Sequence, residues 1–186
     1  MVINEDYYSR YVSLREEIKR AYSDLTVSTY FFQLRQDRKI SLEDIRLPVI
    51  SYLDRLATED FTFVVWKIYF DNDDCRTNTI QHLNNKLHEW GSQRRVTTHL
   101  SHNIHLDLET LRNHRRQHLA HNDAERKSII YDFDETEKAF YEIVSIFNNL
   151  CDPEIDVRVK PISDEEIKEL QKKITDGLNV LLKDAV

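Results

Sequence analysis

Glycine and proline are scarce, with two Gly and three Pro in 186 residues. Strands joined by tight turns draw on both, so a β-rich architecture is disfavoured and long helices are expected. Two glycines also cannot build a glycine-rich phosphate loop, which removes nucleotide hydrolysis of the P-loop type. Cysteine is equally thin: Cys75 and Cys151 follow no ligand spacing, and no arrangement of a Ser or Cys nucleophile with a base stands out. Neither a charged-then-apolar leader nor an apolar run long enough for a bilayer occurs, so the expectation is a cytoplasmic protein without a membrane partner.

Charge is what the chain has in quantity. Charged residues make up 32% of it and the net charge is −7, which argues against a nonspecific nucleic-acid coat. The distribution is uneven. From Arg94 to Lys127 seven Lys/Arg face four acids, a local +3 that leaves −10 on the remainder, and six of the eight His lie in the same window. A small cationic site on an acidic body is the picture. At this length one domain can bury a core without disulfides or metal.

The hydrophobic period predicts an all-α fold. A first helix runs from about Asn4 into the thirties on Tyr7, Tyr11, Leu14, Ile18, Tyr22 and Leu25, and a charged turn, Arg35 to Lys39, ends it. Ser41 with Asp44 caps a second helix whose apolar face is Ile45, Val49, Ile50, Leu53 and Leu56 and which ends near Thr58, with Pro48 in an early turn. Phe61 to Phe70 is β-rich by propensity but has no partner strand, so it is expected as a short buried helix. Thr77 to Trp90 forms the next helix, closed by Gly91, and a motif helix follows from about His99 to Asn122. Asp134 with Glu137 caps a helix with the stripe Phe140, Ile143, Val144, Phe147 and Leu150. Residues 1–150 therefore form the helical bundle, 151–162 a linker, and 163–186 a C-terminal helix packed on the same domain, with Ile167, Leu170, Ile174, Leu178 and Leu181 facing inward.

The densest chemistry is the run Leu111 to Asp123, with three Arg and three His in one predicted helix. Ile104, Leu108, Leu111, Arg115, His118 and Asn122 share a stripe that turns from apolar to polar while keeping its period, as a helix lining a cleft or subunit interface would. A solvated helix end favoured by the macrodipole is the plain alternative. A metal site is another, since His114, His118 and His121 spread over only about 60° of a helix. No third ligand of recognised spacing completes it, so neither metal nor cofactor is expected. The tyrosines and phenylalanines around positions 7–11 and 30–32 are core or dimer surface first; Trp66 and Trp90 are core anchors.

An Arg followed after four to six residues by His, late in the third main helix of a small bundle, resembles the HEPN superfamily. Arg116 precedes His121 by four intervening residues and Arg115 by five; both spacings fit. The context from Leu111-Arg112 to Leu119-Ala120-His121-Asn122-Asp123, with the apolar stretch upstream, is most similar to the HEPN-like branch named for abortive-infection proteins of the U type, over roughly the first 150 residues. The resemblance implies an antiparallel HEPN-like bundle, a homodimer, and metal-independent endoribonuclease activity leaving 2′,3′-cyclic phosphate ends, in a toxin or phage-defence setting with RNA as substrate and an antitoxin protein as partner. Arg116 and His121 are then the catalytic pair, and Arg115, Arg112, His118, Asn122 and Asp123 further candidates for catalysis or phosphate binding. Arg112-Asn113 carries the Arg-Asn pair common in the family, with His118 at the matching range.

The chemistry is consistent with that division of labour. Imidazole exchanges protons near neutral pH, and guanidinium offers phosphate two parallel hydrogen bonds. On one ideal helix Arg116 and His121 stand about 140° apart, so a converged site needs motif helices from two subunits. The alternative class is a noncatalytic dimerisation module that holds RNA, a nucleotide or a protein partner.

Overall fold

The computed structural model describes residues 3–37, 47–70, 79–94, 96–100 and 133–183. Among them are five helices and no strand: α1 (Glu5–Gln36), α2 (Leu47–Phe70), α3 (Ile80–Glu89), α4 (Phe133–Asn149) and α5 (Asp164–Lys183). The all-α expectation holds.

α1 is the axis of the molecule. Asn4 caps it, its side-chain oxygen accepting the Tyr7 N–H at 3.0 Å, and Glu5 and Asp6 in the first turn suit the positive end of the helix dipole. Tyr7, Tyr11, Leu14, Ile18, Tyr22 and Leu25 are all buried, as their spacing predicts. Cross-links set the directions of the neighbours. Arg35 with Asp54, Ser28 with Thr58, Arg20 with Asp60, and Lys67 with Glu17 descend α1 as they ascend α2, so the two helices are antiparallel. Tyr22 on Phe140 and Tyr11 stacked on Phe147 at 4.5 Å make α4 antiparallel to α1 as well. Arg15 with Glu166 and Tyr30 with Asn179 make α5 parallel to it.

α2 departs from the sequence reading in two ways. The second helix does not stop near Thr58, and residues 61–70 are not a separate short helix; one helix runs from Leu47 to Phe70. Nothing at Thr58-Glu59-Asp60 breaks it, because no Gly or Pro intervenes and the Thr58 and Thr62 hydroxyls donate back to carbonyls four residues earlier. Burial then carries through: Ile50, Ala57, Phe61, Val64, Val65 and Ile68 form one inward stripe. Packing overrides the β propensity of the second half. The predicted apolar face, however, is turned outward. Ile50 is buried, but Val49, Leu53 and Leu56 are exposed by 59, 40 and 42%; Ile45, Ser41 and Asp44 lie outside the described residues.

The remaining elements follow their sequence signals closely. α3 is capped by Thr79 and closed by Trp90, and Gly91 takes φ 85°, the left-handed conformation that ends a helix cheaply only with glycine. α4 buries Phe140, Ile143, Val144 and Phe147, with Leu150 just beyond it; Asp134 sits inside its first turn. Ser163 caps α5 through the Glu166 N–H. The inward stripe of α5 fades along its length. Ile167 is buried, Leu170, Ile174 and Leu178 are half-buried, and Leu181 is 71% exposed.

The interval 151–162 is docked along its course. Cys151, Asp152, Ile155, Asp156, Val159 and Ile162 are buried. The Tyr7 hydroxyl donates to Leu150 O at 2.7 Å and accepts the Asp152 N–H at 2.8 Å, and the Tyr11 hydroxyl donates to Lys160 O at 3.0 Å. Asp156, fully buried, accepts from the Asn4 N–H at 2.8 Å and from the Arg158 backbone and guanidinium. That guanidinium also lies 3.9 Å over the Tyr8 ring and pairs with Glu5. Polar groups in this corner are matched, which is what makes their burial affordable.

Candidate functional site

The residues the sequence singles out, Arg112, Arg115, Arg116, His118, His121, Asn122 and Asp123, lie outside the described residues, as does His114. The described chain fixes both flanks of that interval on α2. On the upstream side the Tyr69 hydroxyl donates to Thr98 O at 2.6 Å and accepts the Leu100 N–H at 3.3 Å, while Asn84 donates to Val96 O. On the downstream side the Phe133 ring lies 5.6 Å from that of Phe61. Positions 61 and 69 are eight residues apart, about 12 Å along a helix axis.

Among the described residues a cavity of about 510 Å³ opens between the C-terminal half of α1, the middle of α2 and the start of α4. Its polar floor is a network: Ser28 donates to Asp54 at 3.0 Å and shares a 2.8 Å hydrogen bond with Thr58, and Arg35 holds the other Asp54 oxygen. Phe32 and Phe133 supply apolar wall, and Asp134 and Glu137 stand at the α4 side. Three carboxylates against one guanidinium leave a charge of −2, which repels phosphate. A smaller cavity of about 250 Å³ shares Thr29, Gln33 and Glu137 with it and is bounded by Tyr30 and Tyr141; Tyr141 donates to Glu137 at 3.3 Å.

Two described groups have proton affinities moved by their surroundings in ways that bear on chemistry. Burial, with the Asp60 charge added, pushes the Asp24 carboxyl up to about 6 against the pull of Arg20. Burial and then the Arg10 and Lys86 cations push the His82 imidazole down, favouring its neutral form. Neither lines the two cavities. Arg10 is bonded to Asp6 and Lys86 to Glu89, so the cations beside His82 are already answered. The Cys151 thiol is raised by burial, which makes it a poor nucleophile. Among the described residues no group of three His, Cys, Asp or Glu could hold a metal ion.

No protein-family model matches the chain, and no curated protein or solved structure matches it either. What the described fold defines is therefore a class: an all-α protein with no helix, among the described residues, long and apolar enough to cross a membrane. The Ser28, Thr58, Asp54 and Arg35 network is absent from the sequence reading. Its signal was available in Ser28, a hydroxyl at a core position of α1 three residues after Leu25 and three before Phe31.

Proposed function

We propose that this chain is a metal-independent endoribonuclease of the HEPN type, working in the cytoplasm as a homodimer and serving as a toxin or phage-defence effector held in check by an antitoxin protein. The observation that carries the reading is the Arg115/Arg116 to His121 spacing within a locally cationic stretch of an acidic chain. The all-α fold is compatible with it, and the acidic cavity between α1, α2 and α4 is unsuited to phosphate, which leaves the cationic stretch as the candidate for that role. His121 serves as acid or base: one imidazole takes the proton of the ribose 2′-hydroxyl, and a protonated one supplies the departing 5′-oxygen. Arg116 or Arg115 neutralises the crowded phosphorane. The attacking hydroxyl belongs to the substrate, so the products carry 2′,3′-cyclic phosphate and DNA is inert.

Incubating purified protein with synthetic RNA in excess chelator tests this. Cleavage with cyclic-phosphate ends should persist, and His121→Ala should lower its rate about 10²–10⁴-fold while retaining most RNA affinity. Arg116→Ala should weaken both binding and cleavage and flatten the salt dependence. Activity lost to chelator and restored by zinc would transfer the assignment to His114 and His118. RNA binding without cleavage in the wild-type protein, with parallel affinity losses in every variant, would make it a noncatalytic binding module instead.

A further inference from the structure

The two cavities adjoin, because Thr29, Gln33 and Glu137 line both. The chamber of about 510 Å³ lies on the α2 side of α1, the one of about 250 Å³ on the α5 side, and Glu137 stands where they meet. The larger alone is the size of an ordinary small-molecule site. Its charges are unevenly answered. Asp54 is closed off at the floor, one oxygen taking the Ser28 hydroxyl and the other the Arg35 guanidinium. Asp134 has no hydrogen-bond or ion-pair partner among the described residues, and Glu137 has only the Tyr141 hydroxyl, at 3.3 Å on one oxygen. Because Arg35 is committed to Asp54, no described lining residue of either chamber offers a free cation. Each chamber also has an aromatic pair, Phe32 with Phe133 in the larger and Tyr30 with Tyr141 in the smaller.

We propose that the paired chambers bind a linear aliphatic polyamine, with one ammonium between Asp134 and Glu137 and the chain passing Glu137 into the smaller chamber. The donor and acceptor inventory supplies the argument. A ligand presenting acceptors or negative charge meets carboxylates and no free cation, whereas an ammonium brings three donors and no acceptor to Asp134, Glu137 and the Thr29 hydroxyl. Asp134 and Glu137 are three residues apart on α4, so their side chains leave the helix as neighbours about 5–6 Å apart. A three- or four-carbon spacer sets successive nitrogens a similar distance apart. The aromatic pairs suit the rest of such a molecule, since methylene stems pack on rings and an ammonium is attracted to a ring face. A bare metal ion would satisfy the carboxylates and leave those walls uncovered. The site is separate from the cationic stretch and does not depend on the ribonuclease reading.

Calorimetric titration of the full chain with spermidine, in about 150 mM salt to screen diffuse attraction to an acidic protein, tests the proposal. Wild type should bind one spermidine per chain with a Kd of roughly 10–100 µM. Glu137→Gln should weaken binding about tenfold or more, and Asp134→Asn by a smaller factor. Glu165→Gln, which removes the same charge from the exposed first turn of α5, should leave it unchanged. Thr29→Trp alters no charge but fills space shared by both chambers, and should abolish measurable binding with an unchanged helical circular dichroism spectrum; Gln33→Trp serves if Thr29→Trp does not fold. Equimolar magnesium should not displace spermidine. An absence of saturable binding below about 5 mM, equal weakening by Glu137→Gln and Glu165→Gln, full displacement by equimolar magnesium, or wild-type affinity in the folded tryptophan variant would overturn the proposal. None of these outcomes bears on RNA cleavage, so the two readings fail separately.

Discussion

The two ends of α1 are built on opposite plans. At its N-terminal end Tyr7, Tyr11 and the Asn4 cap are tied into the docked interval 151–162, where the buried Asp152 carboxylate accepts from the Ser92 hydroxyl and the Glu154 N–H, and Asp156 from the Asn4 N–H and Arg158. Toward its C-terminal end Ser28, Phe32 and Arg35 line an open acidic cavity, and the adjacent first turns of α2 show leucine and valine to solvent. One end uses its polar groups to close the fold. Among the described residues the other leaves an open cavity and apolar side chains uncovered, which is where function is sought when a small domain exposes contiguous apolar area.

Cutting the best-satisfied charge should show the contrast most strongly. Asp156→Ala removes the acceptor of the Asn4 N–H and of Arg158, and should lower unfolding free energy by about 2–4 kcal/mol, read as a fall in urea midpoint at constant slope. The corresponding change at the other end, Asp54→Ala, should cost about 1–2 kcal/mol, since its partner Arg35 is exposed and retains water. Equal losses from the two would erase the distinction.

The next effect is uncharged. Tyr7→Phe deletes one hydroxyl that both donates to Leu150 O and accepts from the Asp152 N–H, leaving two buried groups without that partner, and should cost about 1–3 kcal/mol. Tyr30→Phe, which removes an exposed bond to Asn179, should be within about 0.5 kcal/mol of wild type. Thermal unfolding of both variants at one pH checks the pair.

pH separates Asp156 from Asp24, further along α1, by sign. Arg158 and neighbouring N–H donors hold the Asp156 carboxyl well below its ordinary value of 3.8, so its contribution is present above that value and is lost as pH falls below it. Asp24 behaves in reverse. Its folded value, about 6, lies above the ordinary 3.8, so the stability it lends is full below 3.8 and disappears as pH rises through 6. Asp24→Asn should therefore stabilise by about 1–2 kcal/mol at pH 8 and give no gain at pH 3.5, measured by urea midpoints at both pH values. A gain confined to low pH would invert the assignment. The smallest change belongs to the far end of α5: Leu181→Ser should move stability by less than about 0.5 kcal/mol, against about 2–4 kcal/mol for Ile167→Ala on the same predicted stripe.

Sequence alone determined that the chain is helical, where α1 and α4 place their buried faces, and how Asn4, Gly91 and Ser163 mark helix boundaries. These are local matters: a period of 3.6, a side chain that caps, a glycine that accepts positive φ. It also concentrated the chemistry between Arg112 and Asp123, an interval beyond the described residues, so the candidate catalytic pair rests on spacing. Tertiary structure decided what periodicity cannot. It joined residues 47–70 into one helix, because nothing local breaks the chain at Thr58 and the packing surface continues. It chose which of two apolar faces of α2 turns inward, burying Ile50 and leaving Leu53 outside, and it assembled Ser28, Asp54, Thr58 and Arg35 from helices whose sequences give no sign of each other. An apolar stripe states that a face prefers to be covered; what covers it depends on which neighbours the rest of the chain brings within reach.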